Sequence, residues 1–128
     1  MSFTCPQCRS SNTLAIKNSI ELPPDSRSDE IALQLVACSK GDCGFRGVAI
    51  YEESRRGALD SDHWDHTGYQ VSNEDFETLK ETLSQCPRAT LPDCPCESHL
   101  ELGAQSNSGR WQPPKGVDWG NAFQMVIE

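Results

Sequence analysis

The chain has 128 residues, of which 36% are apolar, eight are Pro and nine are Gly, so its core is modest and its loops are numerous. No run of about 18 apolar residues exists for a membrane span, and the first residues lack the basic patch and apolar run of a secretory signal. Residues 1–56 carry seven basic and seven acidic side chains, whereas residues 57–128 carry four against twelve, a net of −8 that repels phosphate backbones.

In chain order, the first pattern is Leu14, Ile16, Ile20 and Leu22 at period two, which predicts a strand over 14–22. A polar loop with Pro23, Pro24 and Ser28 follows. Residues 30–36 predict a second strand with Ile31, Leu33 and Leu35 on one face, and residues 45–51 a third. Together these make a three-stranded antiparallel sheet, a size that is marginal in water by itself. Residues 52–71 read as a polar connector without an assignable element. Then comes one clear helix: Ser72 as N-cap, Asp75 three residues on, and Phe76, Leu79 and Leu83 on one stripe to about Gln85, where Pro87 stops it. The remainder is loop until an apolar run at 122–127, which predicts a closing strand.

Seven Cys in a chain without a visible secretory signal point to metal in a reducing cytoplasm, because an odd number does not complete a disulfide framework. Cys5-Pro6-Gln7-Cys8 puts two thiolates in one tight turn, able to face one ion. Cys38 and Cys43 form a second pair with four residues between them, and Gly44 after it permits the positive φ of a chain bending back beside a metal. Through Cys5-Pro6-Gln7-Cys8, Cys43-Gly44 and the strands between and after them, residues 3–52 resemble the zinc-ribbon family. The resemblance implies a structural zinc ion on Cys5, Cys8, Cys38 and Cys43. It departs from the family in its longer second knuckle and in Arg9, where Gly often follows the first pair. The rival for the first pair, a thioredoxin-like redox motif, needs a strand before the pair and a helix at it; only four residues precede Cys5, and a strand follows.

Cys86, Cys94, Cys96 and His99 offer three thiolates and an imidazole, a recognised zinc set. Sulfurs two residues apart lie far for chelation in an extended chain, so Pro95 is expected in a turn. The alternatives are that a cysteine here is a buried apolar residue, or that His63 or His66 replaces His99. Seven Cys and one His make two complete tetrahedra, hence two Zn2+ per chain. His63, Asp65 and His66 also suggest a metallohydrolase, since two His three apart share a helix face; no other catalytic motif accompanies them. Trp64, Tyr69, Trp111 and Trp119 are expected mainly to fill the thin core, with one or two free to anchor a partner.

The expected fold is a small, β-rich α+β protein: a zinc-ribbon-like module at 1–55, then 56–128 with one helix, a second zinc-stabilised loop region and a closing strand, packed separately or as one unit with the first. The function expected is a non-catalytic adaptor or protein-interaction module. Its partner would be a protein with a basic surface, meeting the acidic helix face of Glu74, Glu77 and Glu81. The second expectation is nucleic-acid binding through the N-terminal module, with Arg9, Lys17, Lys40, Arg46, Arg55 and Arg56 as the surface. The third is the hydrolase.

Overall fold

The computed structural model describes residues 2–54, 63–114 and 119–125. The strands are β1 (Ser2–Phe3), β2 (Leu14–Leu22), β3 (Glu30–Cys38), β4 (Arg46–Ser54), β5 (His63–Gln70) and β6 (Ala122–Gln124), with helices α1 (Asn73–Ser84) and α2 (Glu97–Leu102) between the last two. All six strands form one antiparallel sheet in sequential order. The chain is thus the small β-rich α+β fold expected, and its one sheet joins the three expected N-terminal strands and the closing strand with two more, β1 and β5. The added central pairing is that of β4 with β5, from Gly47 opposite Gln70 to Ser54 opposite His63. Residues 52–54 and 63–70 of the expected connector therefore belong to the sheet, on both sides of position 55. Trp64, His66 and Gly68 alternate with Asp65, Thr67 and Tyr69 there, so neither face is uniformly apolar and the period-two signal is lost. Residues 126 and 127 of the closing run lie outside the described residues.

The expected strand at 14–22 contains a register shift between Ile16 and Asn18: Ile16 lies opposite Val36, and Asn18 opposite Leu35. Lys17 is the extra residue of a β-bulge. Two residues of β2 pass for one of β3, so the even-numbered apolar residues change face. Leu14 and Ile16 join Phe3, Val36, Phe45, Ala49 and Met125 on one side. Ile20 and Leu22 join Ile31, Leu33, Leu35, Val48 and Ile50 on the other, under Phe76, Leu79 and Leu83 of α1 and Leu102 of α2. β3 is buried along both faces for most of its length, as a central strand with two cores must be.

The sheet is curled. β1 and β5 are four strand intervals apart, about 19 Å in a flat sheet, yet the Phe3 and His66 rings meet edge to face with centroids 5.3 Å apart. At the far edge, Gly68 lets the Phe123 ring lie directly over β5, a space that a Cβ would fill.

α1 begins where expected: the Ser72 hydroxyl accepts the Asp75 N–H at 3.0 Å, and Gln85 ends the helix. Beyond it, Asp25 fastens the C-terminal loop to the turn before β3. Its carboxylate accepts the backbone N–H groups of Arg27 (2.9 Å), Ser28 (2.7 Å) and Trp111 (2.7 Å), and the Arg110 guanidinium at 2.6 Å. Burial raises the Asp25 pKa, but those donors outweigh it and hold the carboxyl below its ordinary value.

Candidate metal centres

The chain brings its seven cysteines and His99 into two groups, Cys5, Cys8, Cys38 and Cys43 in one and Cys86, Cys94, Cys96 and His99 in the other, with all ligand atoms of a group within 4.8 Å of one another. The donor spacing suits a tetrahedral ion. Zinc–sulfur bonds of about 2.3 Å put sulfurs about 3.8 Å apart at the tetrahedral angle. The Cys5–Cys43 and Cys8–Cys38 sulfurs are separated by 3.6 and 3.8 Å, and those of Cys86 and Cys94 by 3.8 Å.

At the first centre the two knuckles match each other. In each, the residue after the second cysteine takes a left-handed conformation, Arg9 at φ 60° and Gly44 at φ 72°. Arg9 N–H donates to Cys5 O at 2.9 Å, and Cys43 N–H to Lys40 O at 3.1 Å, so the longer second knuckle closes through a turn of its own. Gln7 ties the knuckles together, its amide donating to Cys43 O at 2.7 Å. Sequence reading missed Gln7, because nothing local indicates that a side chain between two ligands reaches the other pair.

At the second centre Cys86 follows the last turn of α1, its N–H donating to Leu83 O at 3.1 Å. The turn expected at Pro95 lies earlier, at Pro92 and Asp93, where Cys94 N–H reaches Leu91 O at 3.1 Å. Cys96 is the N-cap of α2, its sulfur accepting the His99 N–H at 3.3 Å. That helix start re-aims the sulfur and solves the chelation problem posed by a one-residue gap. His99 is buried, with Nδ1 3.2 Å from the Cys86 sulfur and Nε2 against the carbonyl of Glu21 on β2. A carbonyl only accepts, so Nε2 carries the proton and the Nδ1 lone pair points at the sulfurs. This is the orienting contact that metal-bound imidazoles make.

The thiols' acidities diverge within each cluster. Burial pushes Cys5 up to about 12, while the Ser10 hydroxyl and backbone N–H bring Cys8 down to about 6. Burial pushes Cys86 up to about 11; for Cys96 burial acts upward too, but the His99 N–H and neighbouring thiols prevail and lower it. Several thiolates crowded together resist ionising at once, and a divalent cation removes that resistance.

Of the hydrolase residues, Asp65 and His66 are separated: β5 is a strand, so these neighbours face opposite sides; the side chain of His63 lies outside the described residues. His66 is buried between the Phe3 and Tyr51 rings with Nε2 2.6 Å from Gln34 Oε1. Burial holds its pKa below the ordinary value, against the opposite pull of Asp65. Within the proposed basic surface, Arg46 donates to Phe45 O and lies over the Phe76 ring at 5.6 Å, and Lys40 bonds Ser10 at 3.2 Å. Arg9 and Lys17 stand in a knuckle and a bulge, and Arg55 and Arg56 lie outside the described residues. Tyr69, Trp111 and Trp119 pack against the helix-side core, whereas Trp64 is 69% exposed.

No helix among the described residues is long and apolar enough to cross a membrane. No protein-family model, curated protein or solved structure matches the chain.

Proposed function

We propose that the protein is a non-catalytic interaction module of a reducing compartment such as the cytoplasm, its curled sheet held by two structural zinc ions. One ion sits in a ribbon-like four-thiolate site (Cys5, Cys8, Cys38, Cys43) and the other in a site of three thiolates and one imidazole (Cys86, Cys94, Cys96, His99). The observation that carries this is the closure of both sets: each supplies four converging protein donors, which fills a tetrahedral ion and leaves no position for water or substrate. Zinc is favoured over harder divalent ions by the thiolate and imidazole donors. The partner we assign is a protein with a basic surface, since the second half of the chain carries the −8 net charge and α1 presents Glu74, Glu77 and Glu81 to solvent.

Elemental analysis of protein purified without added metal tests the first part: about two zinc equivalents are expected, and iron or copper in their place would overturn it. Affinity purification from the native host, followed by association measurements at several salt concentrations, tests the second. A basic protein partner whose on-rate falls with salt is expected. Retention of nucleic acid in a mobility-shift titration near physiological salt would instead support the nucleic-acid role.

A further inference from the structure

We propose that the second metal centre is a zinc-responsive latch, which empties before the first and in doing so frees residues 86–102 from the outer edge of the sheet. This deepens the two-zinc reading and rests on it. β1 covers that edge of β2 only at Leu14 and Ala15. Farther along, the segment carrying the second centre takes both outward backbone groups of Glu21: its N–H donates to Ala89 O at 2.7 Å, and its carbonyl accepts the Nε2 proton of His99. One of these partners is a zinc ligand, and the other lies between the ligands Cys86 and Cys94. The cap on the edge is therefore made by the metal loop. α2 extends the connection inward, because the carbonyl of Leu102 accepts the Trp111 indole N–H at 2.8 Å.

Little besides the ion orders this segment. Across residues 86–96 the one buried side chain is the ligand Cys94, so the loop has no apolar core of its own. α2 has six residues, about half the length at which an isolated helix becomes even marginally stable in water. Its cap is the ligand Cys96, and of its two leucines Leu102 is buried while Leu100 is 66% exposed. The first centre is built otherwise. Cys38 ends β3 opposite Leu14, its N–H donating to Phe45 O at 3.1 Å, and buried Cys5 packs with Phe3, Leu14, Val36 and Phe45. Strand pairing thus helps to place those ligands independently of the ion. Where ordering is coupled to binding its cost is subtracted from affinity, and the second centre bears the larger cost. As free zinc falls, that centre loses its ion first, and Glu21 loses its partners with it.

The test is an equilibrium titration of the zinc-loaded full chain with a zinc chelator, following metal by elemental analysis and the backbone and indole N–H groups by NMR and amide exchange. On removal of the first equivalent, protection of the Glu21 amide should fall by about tenfold or more and the Trp111 indole resonance should move, while the Arg9 and Cys38 amides stay protected. Cys94→Ser should hold about one equivalent and show the same pattern. It leaves Ala89 and His99 in place, so lost protection at Glu21 there reports the ion rather than a deleted partner. Loss of both ions in one step or in Cys94→Ser, earlier exposure of Arg9 and Cys38, or a Glu21 amide still protected once the second centre is empty would each overturn the latch while the two-zinc reading stands. A wild-type protein that carries no zinc would overturn that reading and the latch with it.

Discussion

Deleting Lys17 separates two accounts of β2 that the amino-acid pattern leaves equivalent. If 14–22 were one regular strand, removing a residue in its middle would turn half of it over. Ile20 and Leu22, 0% and 1% exposed, or Leu14 and Ile16 would then leave their cores. Full burial of one such side chain is worth about 1.5–3 kcal/mol, so the loss would be about 3–6 kcal/mol, enough to unfold a small domain. With the bulge the outcome is different. Ile16 and Asn18 become neighbours, point to opposite faces as adjacent residues do, and still meet Val36 and Leu35. Only an exposed lysine and a local bend are lost, so stability should change by about 1 kcal/mol or less. Urea unfolding followed by tryptophan fluorescence, with zinc present, measures it. Deletion of Gln34, in the regular part of β3, is the control that should not be tolerated. A Lys17 deletion that fails to fold, or that loses more than about 3 kcal/mol, would refute the bulge and the two-sided core built on it.

Three further perturbations read the metal centres and the Asp25 staple. Gly44→Ala should cost about 1–2 kcal/mol through its left-handed backbone alone, since a Cβ there meets nothing within 4 Å, and Arg9→Gly should gain part of that amount at the matching position; thermal denaturation with zinc present compares them, and equal signs would break the parallel between the knuckles. His99→Ala should lower bound metal from about two equivalents to about one while the first centre keeps its ion; loss of both by elemental analysis would show the centres to be coupled. Asp25 has a folded pKa below its unfolded value of about 3.9, so its contribution is complete above that pH and is lost as pH falls through the folded value. Asp25→Asn should therefore cost about 1.5–3 kcal/mol at pH 7, and its difference from wild type in chemical denaturation should shrink below about pH 4; a constant difference would place the carboxylate's role elsewhere.

What the sequence determined is what local spacing can encode. Cys5-Pro6-Gln7-Cys8 and the Cys94, Cys96 and His99 cluster mark metal ligands because chelation needs donors a few residues apart. Ser72 with the Phe76, Leu79 and Leu83 stripe marks α1 because capping and the 3.6-residue repeat act within one helix. The alternation in 14–22 and 30–36 revealed strands but not their faces. Tertiary structure decided those, because the bulge at Lys17 exists only in the pairing of β2 with β3. It decided β5 as well: His63–Gln70 is a strand chiefly because β4 offers it a complete ladder of partners, and that placement turned His66 into a packed core residue rather than a ligand. The orientation of His99 depends on a carbonyl 78 residues away in the chain, on Glu21. Asp25 meets Arg110 and Trp111 across 85 and 86 residues. Such contacts leave no periodic trace, because each joins residues whose proximity is created by the curl and closure of the whole sheet.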